Sequence, residues 1–432
     1  MKTRGEYGSI ARGQLLAEGK TKKILKTDMN GRVIVENKDV LTAGDGAKRD
    51  TMSGKAALAN RTTSNVFRLL QACGLPVAFV EEVDETGFLA EHCDMIPYEV
   101  VVRREAHGSF LKRHPELSKG HIFPRLLLEF FLKTSGKKWR GVDLPKDDPL
   151  IRFDGNRAIL YLPDRPMHQQ MPLLILENFP LRGLPNEIEQ IGNIAIRAFL
   201  ILEKAWQLAG RRLVDFKVEF GPNQDGKLRL ADVIDNDSWR VLDSGQHIDK
   251  QLYRDGADLN TVIAKYRLVA ELTGNFNLPR QQVILWRASA SDDFKPFEEA
   301  LVAYGAEGSC DIKFITCSLH KEPIRAYQEI GKLVQEVPDS VVIAYCGRSN
   351  GAGPTLSAQV TQPVITVPAT WREFPEDIWS SLRTPSDTPV ATILDPKNAV
   401  LAALQILAMR NPRLYAELRL RQEKRMSNIV SI

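Results

Sequence analysis

Two carboxylates sit where a hairpin would bring them together. In Val214-Asp215-Phe216-Lys217-Val218-Glu219-Phe220 apolar residues alternate with Asp215, Lys217 and Glu219, the pattern of a strand with one buried face. Asp225-Gly226 then supplies a type I′ turn signal, and Lys227–Ile234 reads as the returning strand. A two-residue turn places Glu219 directly opposite Asp232. Like charges so placed repel, and a shared divalent cation would turn the repulsion into coordination. Mg2+ takes one or two carboxylates together with phosphate oxygens. The alternative is a solvated strand face with an ordinary pair of acids, and Pro222, which cannot donate to a ladder, weakens the register.

Other segments suit phosphate chemistry. Glu18-Gly19-Lys20-Thr21-Lys22-Lys23 sets lysines beside a glycine just before a strand-like run, so point charges and approachable backbone amides come together. Gly44-Asp45-Gly46-Ala47-Lys48 is a second tight, charged loop. Gly108-Ser109 follows Arg103-Arg104, and Arg240 follows Asp235-Asn236-Asp237-Ser238-Trp239. Taken singly, each also reads as a solvated turn.

A second constellation follows three successive strand-like runs. Ser289-Ala290-Ser291-Asp292 follows the first, Ser318-Leu319-His320-Lys321 the second, and Gly347-Arg348-Ser349-Asn350-Gly351-Ala352-Gly353-Pro354 the third. Open parallel sheets bind ligands at the carboxyl ends of their strands, so one pocket can collect all three. Small hydroxyls, a glycine-rich backbone and one arginine suit a ribose phosphate. His320 is the only histidine of this half and is able to move a proton near neutral pH, although a lone histidine is more often a surface residue.

The elements that must hold these groups fall into two sets. The first half carries short strands at Val33–Glu36, Val77–Glu82, Glu99–Arg103, Val214–Phe220 and Leu228–Ile234, with a helical pattern over Glu187–Leu208 that ends before Gly210. This half is α+β. After the polar segment Thr273–Gln282, strands and helices alternate, which implies a parallel sheet covered on both faces. The boundary falls at about residue 278, giving domains 1–275 and 283–432.

Composition bounds the partners. The chain has 432 residues with a net charge of +4, too balanced for a nucleic-acid or membrane binder. Five cysteines with no C-x-x-C pair fit a reducing compartment. Met1–Ala17 lacks the apolar core of a signal peptide, and no stretch approaches the roughly 18 apolar residues of a membrane span. A cytoplasmic location is expected.

In order, Gly19-Lys20-Thr21-Lys22, Ala43-Gly44-Asp45-Gly46-Ala47, Arg103…Gly108-Ser109, Val214–Gly221 and Asp232…Asp237…Arg240 resemble the motifs of SAICAR synthetase, from about residue 15 to 255. That resemblance implies ligation of a carboxyaminoimidazole ribonucleotide to aspartate with ATP and Mg2+, through an acyl phosphate. It implies that Lys20, Lys22 and Lys217 serve ATP, with Lys217 beside the reacting groups, and that Glu219 and Asp232 hold Mg2+. It gives Asp45, Arg103, Ser109, Asp237, Arg240, Lys250 and Arg254 to the ribotide. The sequence departs from the family at Thr134–Arg140, which is basic, with Asp147-Asp148-Pro149 arriving late.

The strand-end loops, with Trp379-Ser380-Ser381-Leu382-Arg383 and Pro385-Ser386, resemble aminoimidazole ribonucleotide carboxylase of the animal type over about residues 283–410. The order of the two halves matches the animal bifunctional fusion. The resemblance implies a flavodoxin-like, three-layer α/β domain that uses CO2 without ATP or biotin and assembles as a homo-octamer. It gives Ser289, Ser291, Asp292, Ser318, Lys321, Gly347, Arg348, Ser349 and Gly353 to the ribotide and makes His320 the proton relay. Three departures stand out. Ala288 replaces a glycine, Leu319 a small alanine, and Val367-Pro368-Ala369 a Cys-Pro-Pro stretch. A methyl at residue 288 would impair the loop if positive φ or close ligand approach were needed. The competing reading is an active synthetase whose C-terminal half is a ribotide-binding or assembly scaffold without catalysis.

Overall fold

The computed structural model describes residues 10–43, 48–134, 138–139, 141–145, 147–155, 157–177 and 185–426. It divides into two compact units, Met1–Asn277 with Gln422–Ile432, and Leu278–Arg421. Among the described residues no helix is long and apolar enough to cross a membrane.

Two large antiparallel sheets form the body of the first unit. One runs in the order Leu15–Glu18, Lys22–Lys26, Arg32–Asn37, Gly87–Glu91, Phe79–Glu82, and helix Lys55–Ala72 packs on it. The larger sheet centres on Ile122–Leu132, Tyr98–Glu105, Arg212–Pro222 and Trp239–Asp243, with Leu228–Ala231 pairing to the far end of Arg212–Pro222. Helix Pro185–Leu208 covers it, burying Ile191, Ala195, Ala198, Phe199, Leu202 and Trp206 at helical spacing. The helix stops where the glycine allows. Gly210 has φ 72°, its N–H donates to Gln207 O, and the Arg211 N–H reaches back to Trp206 O at 2.8 Å, a Schellman closure.

The second unit is a five-stranded parallel sheet in the order Asp311–Thr316, Gln282–Arg287, Ser340–Cys346, Val364–Pro368, Ala391–Thr392. In chain order this is 2-1-3-4-5, the flavodoxin-like winding. Its central strands are apolar on both faces because both are covered. Val283, Leu285, Val341 and Ile343 join helices Lys295–Ala303 and Pro396–Ala408 in one core. Ile284, Trp286, Val342 and Ala344 join helices Pro323–Glu336 and Ala352–Ser357 in the other.

Candidate functional site

The hairpin register differs from expectation by one residue. Pro222 pairs with Leu228 and Glu219 with Ala231, so the connection has five residues rather than two. The Asn223 side chain causes this, because its Oδ1 accepts from the N–H groups of Asp225 and Lys227 and closes a longer turn around Asp225-Gly226. Asp232 therefore lies beyond its strand, with a left-handed φ of 68°, a conformation that aspartate tolerates better than most residues. Both carboxylates nonetheless line one cavity of about 350 Å³.

That cavity has an apolar wall and a charged end. Ile24, Val33, Val35, Phe79 and Phe88 give a surface suited to a flat ring, and Lys22, Lys133, Glu219 and Asp232 gather at the polar end. Lys133 Nζ lies 2.6 Å from Glu219 Oε1, and the Lys22 ammonium pairs with Asp232. Each acid thus carries a cation that can move to a phosphate. Lys20 is exposed in the turn before Lys22, and Asp45 lies outside the described residues.

A second cavity, of about 400 Å³, is built on the other end of strand Arg212–Pro222. Arg103, Ser109, Lys217, Asp237, Arg240 and Arg254 all line it. Asp215 accepts from Arg103 Nη1 and from Arg240 Nη1, each at 2.6 Å, and so orients two guanidiniums at once. Asp237 is the other hub, with Lys55 Nζ at 3.3 Å, Lys250 Nζ at 3.4 Å and the Tyr266 hydroxyl donating at 2.8 Å. Burial opposes its charge, yet the two lysines hold its carboxyl well below the usual range; buried Asp235, beside that charge, is pushed up. Lys217 lines this cavity and not the first; its ammonium pairs with Glu99 at 2.8 Å, while its charge is felt at Lys22. It stands between the two cavities. Asp147 and Asp148 line the second cavity too, and Asp148 Oδ1 accepts from the Thr134 N–H.

In the second unit the three strand-end loops converge. A Cβ on Gly347 would lie 3.1 Å from Asp292 Oδ1, and one on Gly351 would lie 3.7 Å from His320 Nε2. Asp292 is buried and accepts from the Ser289 N–H; desolvation pushes its carboxyl up. The Ser291 hydroxyl donates to that of Ser289, while Ser318 caps the turn that carries exposed His320 and Lys321. Arg348 and Ser349 have positive φ, and their N–H groups are held by Thr370 Oγ1 and Asp377 Oδ1. A Cβ on Gly353 would collide with the Thr366 methyl, so this loop must close with glycine.

Two of the three departures lose their force here. Among the described residues, non-glycine positive φ occurs at Asp232, Ser244, Arg348, Ser349 and Asp387, so Ala288 has an ordinary backbone. Leu319 is buried and belongs to the core cluster that also holds Trp286 and Cys317. Arg287, before Ala288, donates to the Asp292 carbonyl and steadies the loop.

Sequence reasoning missed Lys133, Glu99, Lys55, Thr370 and Asp377. Lys133 directly follows the apolar run Phe130-Phe131-Leu132 and has no motif of its own. The others have no local signal, because each acts on a partner distant in sequence.

Comparison with known proteins agrees with both halves. The SAICAR synthetase model matches residues 15–144 and 172–271, and the AIR carboxylase model residues 282–428. The chain is 36% identical to the multifunctional protein ADE2 of Gallus gallus, covering 94% of this chain and 92% of that protein. It is 35% identical to the bifunctional phosphoribosylaminoimidazole carboxylase/phosphoribosylaminoimidazole succinocarboxamide synthetase of Homo sapiens, over 94% and 93%. Among solved structures, a SAICAR synthetase (Type-2) in complex with ADP is 30% identical, with TM-score 0.48, covering 60% of this chain and 96% of that one. The reading of the C-terminal half as a scaffold without catalysis is not favoured, since that half matches the carboxylase model and the relatives are named for both activities. The chain belongs to the family of bifunctional enzymes of purine biosynthesis that join an AIR carboxylase to a SAICAR synthetase.

Proposed function

We propose that the C-terminal unit carboxylates aminoimidazole ribotide with CO2, and that the N-terminal unit uses ATP to ligate the product to aspartate. The observation that carries the ligase reading is the outward face of strand Arg212–Pro222. Asp215 serves the arginine cavity, Glu219 serves the lysine–carboxylate cavity, and Lys217 stands between them. Neighbouring same-face residues on a strand are about 7 Å apart, so Lys217 lies one such step from Asp215 and one from Glu219 and can reach groups bound in either cavity.

In this reading Lys20 and Lys22 hold ATP phosphates, while Arg103, Ser109, Arg240 and Arg254 hold the ribotide phosphate. Asp237 and Lys250, with Asp45, complete the ribotide site. The ribotide carboxylate attacks the γ-phosphorus and ADP leaves; the aspartate amine then attacks the acyl carbon, releasing phosphate and a proton. Lys217 offsets the charge that passes between the reacting groups. Glu219 and Asp232 fit Mg2+, being two carboxylates in one cavity beside a phosphate-sized cluster of lysines. Bound there, the ion would neutralise phosphate charge.

In the carboxylase, Ser289, Ser291, Asp292, Ser318, Lys321, Gly347, Arg348, Ser349 and Gly353 surround the ribotide. CO2 forms the new bond at the imidazole carbon, and that carbon's proton passes to the His320 imidazole, restoring the aromatic ring. The family resemblance supports a cytoplasmic homo-octamer assembled through this unit. The test is a product profile from aminoimidazole ribotide and bicarbonate. Carboxylated ribotide should form without ATP, and the succinocarboxamide only when ATP, Mg2+ and aspartate are all added. Failure of either product removes the corresponding activity.

A further inference from the structure

Behind the arginine cavity lies a chain of buried charge. Arg240 and Arg103 share Asp215, and Arg103 passes the chain on, its Nε donating to Glu129 Oε2 at 2.6 Å. Glu129 Oε1 in turn accepts from Arg113 Nη2 at 2.5 Å. Arg113 is 0% exposed and Glu129 11%, so this last pair has little contact with solvent. Three guanidiniums alternate with two carboxylates, leaving one positive charge that an anion in the cavity would balance.

Arg113 does more than pair. Its Nη1 donates to Pro163 O at 2.8 Å and lies 3.4 Å from Ser109 O, and its guanidinium stacks over Phe131 with its centre 5.3 Å from the ring. Ser109, Pro163 and Phe131 all line the cavity. One side chain therefore ties three parts of the wall to Glu129, and Glu129 ties that wall to Arg103. Burial works to raise the Glu129 carboxyl, but the two guanidiniums outweigh it and keep it charged.

We propose that the buried Arg113–Glu129 pair is the positioning device of the ribotide site, fixing the fork of Arg103 and the Ser109 wall without touching the ligand. The proposal rests on the arginine cavity being the ribotide site. A flexible point charge cannot reproduce a planar fork that spans a carboxylate and two carbonyls, so Arg113→Lys keeps the charge while losing the geometry.

The experiment uses the full chain and measures KM for the carboxylated ribotide, KM for ATP, and heat unfolding. Arg113→Lys and Glu129→Gln should each raise the ribotide KM about tenfold, the effect of one misplaced charged hydrogen bond, with the ATP KM changed less than about twofold. Glu129→Asp, which restores the charge on a shorter arm, should recover part of the loss. An unchanged ribotide KM in Arg113→Lys overturns the proposal, as does an equal rise in both constants, which would mean a merely structural role. If Glu129→Gln does not fold, Arg113→Lys alone decides. Arg240→Ala separates the two levels. If it leaves the ribotide KM unchanged, the site reading itself fails; if it raises that KM while Arg113→Lys does not, only the positioning role fails.

Discussion

Gly108 stands against the guanidinium of Arg240 so closely that a Cβ there would meet Nη2 and Cζ. Gly108 also has φ 59°, a left-handed conformation that costs a side chain energy. The glycine therefore sets the position of the arginine that Asp215 orients from the other side.

Gly108→Ala should raise the KM for the carboxylated ribotide at least about tenfold, since a displaced charged contact is worth roughly 1.5–3 kcal/mol. The ATP KM should stay near its original value. Steady-state kinetics with each substrate varied in turn checks this, and parallel changes in both constants would count against a local effect.

Glu219→Gln and Asp232→Asn should each slow Mg2+-dependent ADP release by about 100-fold or more, the scale of losing a ligand that offsets phosphoryl charge. Carboxylation should be untouched, because it takes place in the other unit. Near-normal ADP release in both variants would remove the shared-cation reading.

Burial pushes the Lys22 ammonium down to about 8, against the pull of Glu219 and Asp235. The free protein thus loses this charge as pH rises through 8, and kcat/KM for ATP should fall over that interval. The sign follows from the deprotonated amine, which cannot attract phosphate. Lys22→Arg keeps its charge at these pH values, so its profile should stay flat there. A wild-type profile level to pH 9 would show that the Lys22 ammonium keeps its charge over that interval.

In the second unit two neighbouring substitutions should part company. His320→Ala should lower carboxylation about 100-fold or more, while the ligase keeps working on carboxylated ribotide supplied directly. Leu319→Ala, which makes the loop more like the family pattern, should instead cost about 2–5 kcal/mol of stability, because the leucine fills a core. Denaturant unfolding measures the second effect; a gain in activity without lost stability would contradict the core placement of Leu319.

What was legible in the sequence was whatever depends on near neighbours. Alternation along Val214–Phe220 marked the strand and its outward acids, and Gly210 marked the helix end. The three strand-end loops were readable because a parallel sheet delivers such loops to one edge regardless of detail. The Glu219–Asp232 pairing was misread by one residue, since an asparagine side chain, not the Asp-Gly pair, decided the turn. Asp215 looked like one more solvated acid. It is buried because Arg103 and Arg240, on two other strands, need a shared counter-charge. Lys133, Glu129 and Arg113 likewise acquire their roles only from partners far along the chain. Local periodicity follows from backbone geometry and can be read from the residues alone. Charge pairing in a buried site depends on which distant strands meet, and that was decided only by the tertiary structure.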